Sequence, residues 1–258
     1  EMVFDETGGY GLNQVMSEFW NAWQDLSNNP SGQIQRSILS AKGEVLASSF
    51  NKIHQDLQKN QQEIDAMITE SVGEINRYSE QIVDLNLKII QMESGGYNAN
   101  EYRDQRDLAL KGLSELIAIN SFEEADGGVT VSVGSGQVLV QGTHQNTIST
   151  QKNTDGLEDV IWVDSSNNMV TINDGISGGK LRGWLDTRDQ DIRNYLNRLD
   201  TTAQRMMEEV NTLHAGGYGI DAGGSTGIDF FTGSATASGV MDSWLDITAE
   251  DGGAGNVS

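Results

Sequence analysis

An unbroken helical repeat of apolar residues between positions 50 and 92 constrains this chain more than any other feature. The apolar residues follow one another in steps of three or four, with one step of seven, which is typical of a long helix in a coiled coil or bundle. No proline interrupts the repeat, and the single glycine within it, Gly73, costs a helix about 1 kcal/mol. We therefore predict one helix over residues 31–93, on the order of 90 Å long at 1.5 Å per residue, which could break near Gly43. The residues that define the repeat are Phe50, Ile53, Leu57, Ile64, Ile68, Val72, Ile75, Tyr78, Ile82, Leu85, Ile89 and Met92.

The segments on either side predict three more helices and a small β region. Apolar residues recur at helical spacing over residues 12–26, 100–118 and 180–214. Residues 122–172 instead contain short β-branched runs separated by turns rich in glycine and asparagine, the pattern of antiparallel strands. The sequence therefore predicts a multidomain α + β protein: an antiparallel, coiled-coil-like bundle of long helices with a small antiparallel β domain inserted into it.

This pattern also predicts where the domains meet. The β domain would project from the bundle, and the last long helix would return to it. A glycine-rich acidic segment with two short strands, at 228–231 and 244–247, would then lead into a truncated outer domain. The four predicted segments are residues 1–119 (first part of the bundle), 120–178 (β domain), 179–216 (returning helix) and 217–258 (acidic segment).

Composition excludes several classes of function. The 16 Lys and Arg residues against 38 Asp and Glu give a formal net charge of −22, which repels nucleic acid and anionic lipid. The chain has no cysteine, which excludes disulfides and cysteine-ligated zinc. It has no run of about 18 apolar residues, so we expect no membrane span.

Three motifs resemble sites of chemistry, but each lacks part of its pattern. Residues 175–179 read Gly-Ile-Ser-Gly-Gly, yet a nucleophile elbow at Ser177 needs an alternating strand–helix fold, so a turn out of the β region is expected. The three histidines have no metal-binding partner at helical spacing. Residues 221–229 lack the side chains that a calcium loop needs at its third and fifth positions. We expect no catalytic residue, cofactor, metal or small-molecule substrate; a Ser177 hydrolase and a calcium-stabilised surface module remain as alternatives.

One repeated tripeptide suggests a structural cluster instead. Arg-Asp-Gln occurs on both helices that flank the predicted β region. One hypothesis is that the arginines and aspartates of the two segments pair with each other and fix how the β domain projects. The alternative is separate pairs within each helix, each worth a few tenths of a kcal/mol. The candidate residues are Arg103, Asp104, Arg106, Asp107, Arg188 and Asp189.

Five segments, in order along the chain, resemble those of one protein family. The similarity covers about residues 12–233, and its motifs lie at residues 20–30, 98–107, 178–189, 211–218 and 227–231. They include Trp-Asn-Ala-Trp-Gln-Asp-Leu-Ser-Asn-Asn-Pro at the start and Tyr-Arg-Asp-Gln-Arg-Asp within the second segment. The sequence is similar to the FlgK-type flagellar hook-associated proteins, which join hook to filament in bacteria.

The resemblance implies a structural function and a location. It implies an exported, extracellular subunit of the flagellum that acts as a junction between hook and filament, without catalysis. Implied partners are the hook protein, the second junction protein, further copies of the same chain and an export chaperone that binds a terminal region. The alternative is a secreted surface binding or adhesion module that uses the β domain and the acidic tail.

We also expect this chain to be monomeric in solution. Members of the family carry apolar heptad segments at both ends, which associate in the assembled axial structure; these segments are absent from the sequence, as expected of an internal fragment. The charge of −22 adds repulsion between copies. Light scattering should give the mass of one chain, and a dimer mass that does not depend on concentration would contradict the expectation.

Overall fold

The computed structural model describes residues 11–217, 226–235 and 245–249. The chain divides into two compact units. The first unit is formed by Glu1–Asn60 and Ile192–Ser258, and the second by Gln61–Asp191. The predicted boundaries at 119/120, 178/179 and 216/217 do not coincide with this division, and the four-segment division stays a prediction.

Five α-helices occupy the described ranges, where the apolar periodicity predicts them. Helix α2 continues through Gly43, which is buried, so the possible break near that residue is absent. Between α4 and α5 the backbone forms one π-helical turn, Thr187–Asp191, within the helix predicted over 180–214. The helices are α1 (Leu12–Asn28), α2 (Gln33–Ser94), α3 (Asn100–Leu116), α4 (Lys180–Asp186) and α5 (Ile192–Ala215).

The strands are antiparallel, as predicted, and form three small sheets in the described residues. The first sheet has the order β1-β2-β3-β4, the second the order β5-β6-β7, and the third pairs β8 with β9. The predicted α + β fold class is therefore confirmed. The strands are β1 (Ile119–Glu123), β2 (Val129–Val133), β3 (Gln137–Gln141), β4 (His144–Gln145), β5 (Thr147–Lys152), β6 (Glu158–Val163), β7 (Met169–Thr171), β8 (Phe231–Ala235) and β9 (Leu245–Ala249).

Three predicted boundaries differ from the structure. Helix α3 ends at Leu116, and its C-cap residue Ile117 is already extended, so the β region begins three residues before the predicted start at 122. The strand predicted at 228–231 begins instead at Phe231, because the segment before it is bonded to a helix. The strand predicted at 244–247 is found at Leu245–Ala249, while Trp244 lies outside the described residues.

The second unit has one hydrophobic core, to which helices and sheets both contribute. Buried residues of α2 and α3, such as Ile75 and Leu113, pack in one cluster with Val131 of β2 and Val160 of β6. Leu181 of α4 completes the cluster. Because the strands and the helices bury their apolar faces in the same core, residues 120–178 have no separate core of their own here.

The first unit contains an aromatic cluster near the end of α5. Phe19 of α1 lies 5.7 Å, centroid to centroid, from both Phe230 and Phe231, and all three side chains are buried. The Asn211 side chain of α5 accepts hydrogen bonds from the backbone N–H groups of Phe230 and Phe231 and donates one to the Phe231 carbonyl. Asn211 therefore fixes the start of β8 to α5, and the Gly227 N–H, which donates to the Ala215 carbonyl at 2.9 Å, holds the preceding segment to the end of the same helix.

The Gly-Ile-Ser-Gly-Gly segment is a turn into α4. Gly179 precedes the helix with φ 83° and ψ 177°, a conformation open essentially to glycine alone. A Cβ atom on Gly179 would lie 2.5 Å from the carbonyl oxygen of Leu116. The turn thus brings the end of α3 against the start of α4, and the backbone N–H of Ala118 donates to the Gly178 carbonyl at 3.0 Å.

We predict that Gly179→Ala destabilises the chain by at least about 2 kcal/mol, since backbone strain of about 1–3 kcal/mol adds to a collision with backbone. Gly183→Ala is the matched control, because no atom lies within 4 Å of its added Cβ and alanine favours a helix by up to about 1 kcal/mol. Urea unfolding followed by circular dichroism measures both variants. Equal stability of the two variants would show that the Gly179 conformation is unimportant.

Candidate functional site

Two asparagines on α2 take the place of a neighbouring strand for the sheets of the second unit. The Asn76 amide nitrogen donates to the Ile148 carbonyl at 2.6 Å, and its oxygen accepts from the Ile148 N–H at 2.9 Å. These are the two bonds that a paired strand residue would make at this edge of β5. The side chain therefore satisfies backbone groups of a sheet edge that lies against a helix.

Asn86 does the same for the first sheet. Its amide nitrogen donates to the Val129 carbonyl at 2.9 Å and to the Gly142 carbonyl at 2.7 Å, while its oxygen accepts from the Val129 N–H at 3.1 Å. Asn86 is fully buried, and an unpaired buried backbone group costs about 1–3 kcal/mol. The position of β2 against α2 is thus set by directional bonds as well as by apolar packing.

Arg106 of α3 extends this network. It is 2% exposed and donates to Asn86 Oδ1 at 3.0 Å, to the Gly127 carbonyl at 2.6 Å and to Glu123 Oε2 at 2.9 Å. One guanidinium therefore connects α2, α3, β1 and the turn between β1 and β2. Burial lowers the pKa of Arg106 from its ordinary value, and the nearby charge of Glu123 counteracts this effect.

Arg103 lies one turn earlier on α3 and is more accessible. It donates to both carboxylate oxygens of Glu93, at 3.0 and 2.9 Å, and to Glu123 at 2.5 Å. The hydrogen bonds from Arg103 lower the pKa of Glu93, and those to Glu93 and Glu123 raise the pKa of Arg103. Glu123 thus accepts from two arginines and joins β1 to α3.

Arg188 forms a second, separate cluster in the π-helical turn. It is fully buried and donates to Asp65 at 2.6 Å, to both oxygens of Asp189 at 2.7 and 2.9 Å, and to the Glu158 carbonyl at 2.7 Å. Asp65 also accepts from the Glu158 N–H at 2.9 Å. Burial alone would lower the pKa of Arg188, but the bonds and charges of Asp189 and Asp65 raise it overall.

The structure places four of the six predicted cluster residues in two groups with different partners. The arginines of α3 bind Glu93 and Glu123, and Arg188 binds Asp65 and Asp189, so the hypothesis of pairing between the two segments does not describe these contacts. The alternative hypothesis, separate pairs within each helix, accounts only for the Arg188–Asp189 pair, because the other partners of the arginines come from different elements. Asp104 and Asp107 are exposed.

Five partners in these clusters were outside the sequence prediction. The signal for the asparagines is a residue of low helix propensity beside apolar positions of the repeat, since Asn76 follows Ile75 and Asn86 follows Leu85. The acidic partners carry no such signal, because the chain holds 38 carboxylate residues. The missed residues are Asp65, Asn76, Asn86, Glu93 and Glu123.

The histidines, which are candidate metal ligands, contact other parts of the fold. His54 contacts the buried Asp200 at 3.2 Å, and His214 donates to the Ile228 carbonyl at 2.7 Å. Within residues 11–217, 226–235 and 245–249, no group of three or more His, Asp or Glu side chains is placed to hold a metal ion. Residues 221–225 of the candidate calcium loop lie outside the described part of the chain.

Among the described helices, none has both the length and the apolar character that crossing a membrane requires.

Together these contacts define a scaffold module, in which a long helix carries small sheets through buried asparagine and arginine side chains. Comparison with known proteins assigns this module to a family. The sequence profile of the family described as "Flagellar hook-associated protein FlgK helical domain" matches residues 1–231. The chain belongs to this family, so the family prediction is confirmed.

Individual relatives are also named as flagellar hook-associated proteins. The chain is 30% identical over 255 residues to flagellar hook-associated protein 1 of Bacillus subtilis, covering 90% of this chain and 50% of the relative. It is 30% identical over 230 residues to the protein of the same name from Escherichia coli, covering 87% of this chain and 42% of the relative. The chain therefore spans half or less of the length of these relatives.

A solved structure supports the fold. The flagellar hook junction protein FlgK from Burkholderia pseudomallei matches with a TM-score of 0.78 at 23% identity, over 90% of this chain and 43% of that one. At this identity the likeness concerns the fold alone. Long helices with small inserted sheets are thus an architecture that the two chains share.

We predict that Arg106→Met destabilises the second unit by about 2–4 kcal/mol, because the Gly127 carbonyl loses its donor, and Asn86 and Glu123 each lose one of the donors that they bind. Arg103→Met should cost no more than about 1 kcal/mol, since the Arg103 side chain is 27% exposed and its partners 30% and 44%. Chemical denaturation of both variants provides the measurement. If Arg103→Met lowers the free energy of unfolding as much as Arg106→Met does, burial of the arginine does not determine its contribution to stability.

Proposed function

We propose that this chain is the helical part of a structural adaptor between the hook and the filament of a bacterial flagellum. The observation that carries the proposal is the family match over residues 1–231. The names of the relatives, hook-associated protein 1 and hook junction protein, support the same role. The proposed location is extracellular, in the flagellum, after export.

The contacts of the second unit suit a mechanical role. A junction subunit has to keep its shape while its neighbours on the two sides pack differently. Hydrogen bonds from Asn76, Asn86, Arg106 and Arg188 to backbone carbonyls of strands and of the turn between β1 and β2 give directional constraints that apolar packing alone lacks. In this proposal the protein acts through shape and surface, without catalysis.

The proposed partners follow from the position between hook and filament. They are the hook protein, the second junction protein and further copies of the same chain, and an export chaperone would bind a terminal region. The charge of −22 disfavours association of free chains. Association would therefore depend on placement by the growing flagellum.

We predict that deletion of the gene encoding this chain leaves bacteria with hooks but without filaments, and with flagellin released into the medium. Without the adaptor, filament subunits have no surface on which to assemble. Electron microscopy of the deletion strain and of the same strain carrying the restored gene is the measurement. Normal filaments in the deletion strain would contradict the adaptor role.

A further inference from the structure

Strand β7 presents an open edge to the outside of the second unit. It is the last strand of the β5-β6-β7 sheet, and all three of its residues are exposed. Met169 and Val170 are 60% and 42% exposed, although both side chains are apolar. No backbone hydrogen bond of β7 is found in the described residues except with β6.

The register shows which backbone groups point outward. The Ile172 N–H donates to the Val160 carbonyl and the Asp164 N–H to the Asn168 carbonyl, so these residue pairs are hydrogen-bonded positions of the ladder. Bonded and non-bonded pairs alternate in an antiparallel ladder. Met169 and Thr171, which pair with Val163 and Ile161, are therefore non-bonded positions, and their N–H and C=O groups face away from β6.

At the opposite edge of this sheet, formed by β5, outward backbone groups already have partners. On β5, the outward N–H and C=O of Ile148 are both bonded to Asn76. Proteins commonly protect an exposed edge by keeping the strand short or with lysine, proline or a bulge. Strand β7 is short, at three residues, but it reads Met-Val-Thr in regular register, without lysine, proline or a bulge. Its four outward groups match those that an added strand pairs with in β-augmentation.

The chain segment that contains β7 is acidic. From 153 to 179 the chain has no lysine or arginine, while it has five carboxylates, Asp155, Glu158, Asp159, Asp164 and Asp174. Asp164 precedes the strand and Asp174 follows it. Hydrogen bonds from the Asn168 side chain and backbone lower the pKa of Asp164.

We propose that the β7 edge binds a short extended segment of another polypeptide, uncharged over about three residues and basic on either side. The backbone of the segment would pair with Met169 and Thr171, and its basic residues would lie near Asp164 and Asp174. A second copy of the same strand fits less well, because it would bring the same carboxylates together and each chain carries a charge of −22.

The test uses the blocked peptide Lys-Val-Thr-Val-Lys and its control Glu-Val-Thr-Val-Glu, titrated into the purified chain and followed by NMR of the backbone amides. We expect the lysine peptide to shift the Met169 and Thr171 amides, and the glutamate peptide to bind roughly tenfold more weakly. No shift at these amides at millimolar lysine peptide, or equal binding of both peptides, would overturn the proposal.

Two variants separate edge binding from other contacts. Thr171→Pro removes one outward N–H and should weaken lysine-peptide binding at least about tenfold. If proline disturbs the sheet, Met169→Lys provides the second variant, since a lysine on the edge opposes both strand addition and a basic peptide; Met169→Thr is its control and should bind normally. Unchanged binding by Thr171→Pro or Met169→Lys would overturn the proposal.

A dimer that forms through β7 and is not displaced by the lysine peptide would also overturn the proposal, because the occupant of the edge would then be a second copy of the chain.

Discussion

The second unit depends on how the backbone of a sheet is satisfied where it lies against a helix. A helix has no free main-chain groups along its length, so it cannot continue the ladder of a neighbouring strand. Asn76 and Asn86 solve this problem, because a side-chain amide offers the same donor and acceptor as a peptide group. Each bonds both the N–H and the C=O of one strand residue, Ile148 and Val129 respectively. The long helix can therefore serve as a partner for two sheets.

The buried arginines follow from the same constraint. Arg106 bonds Asn86 and the Gly127 carbonyl at once, and Arg188 bonds the Glu158 carbonyl beside Asp65. A planar guanidinium with five donors suits such sites better than a lysine. In a chain with 38 acidic residues, the carboxylates that neutralise the buried cations are available on neighbouring elements. Glu123 and Asp189 remain partly exposed, which reduces the cost of burying each pair.

The helices, the antiparallel β region and the family could be predicted from the sequence, because periodicity and ordered motifs are local features. The partners of the arginines could not. The repeated Arg-Asp-Gln tripeptide suggested that Arg106 and Asp189 belong to one cluster, but each arginine binds a carboxylate brought near by the tertiary fold, Glu123 at position i+17 and Asp65 at i−123. Gly179 shows the same limit, since its glycine-rich turn is visible in the sequence while the approach of the Leu116 carbonyl is not.

Apolar packing and buried polar contacts make different contributions to this architecture. The core of the second unit, from Ile68 to Leu185, supplies most of the driving force for folding, but hydrophobic burial is non-directional. Sliding a sheet along α2 would disturb the close packing of this core, and it would also break every bond to Asn76 and Asn86 and leave their partners buried and unpaired. Polar contacts therefore act together with packing to fix the register of the sheets on the helix. In the adaptor role proposed above, in which the protein acts through its shape, that register is the property on which function would depend.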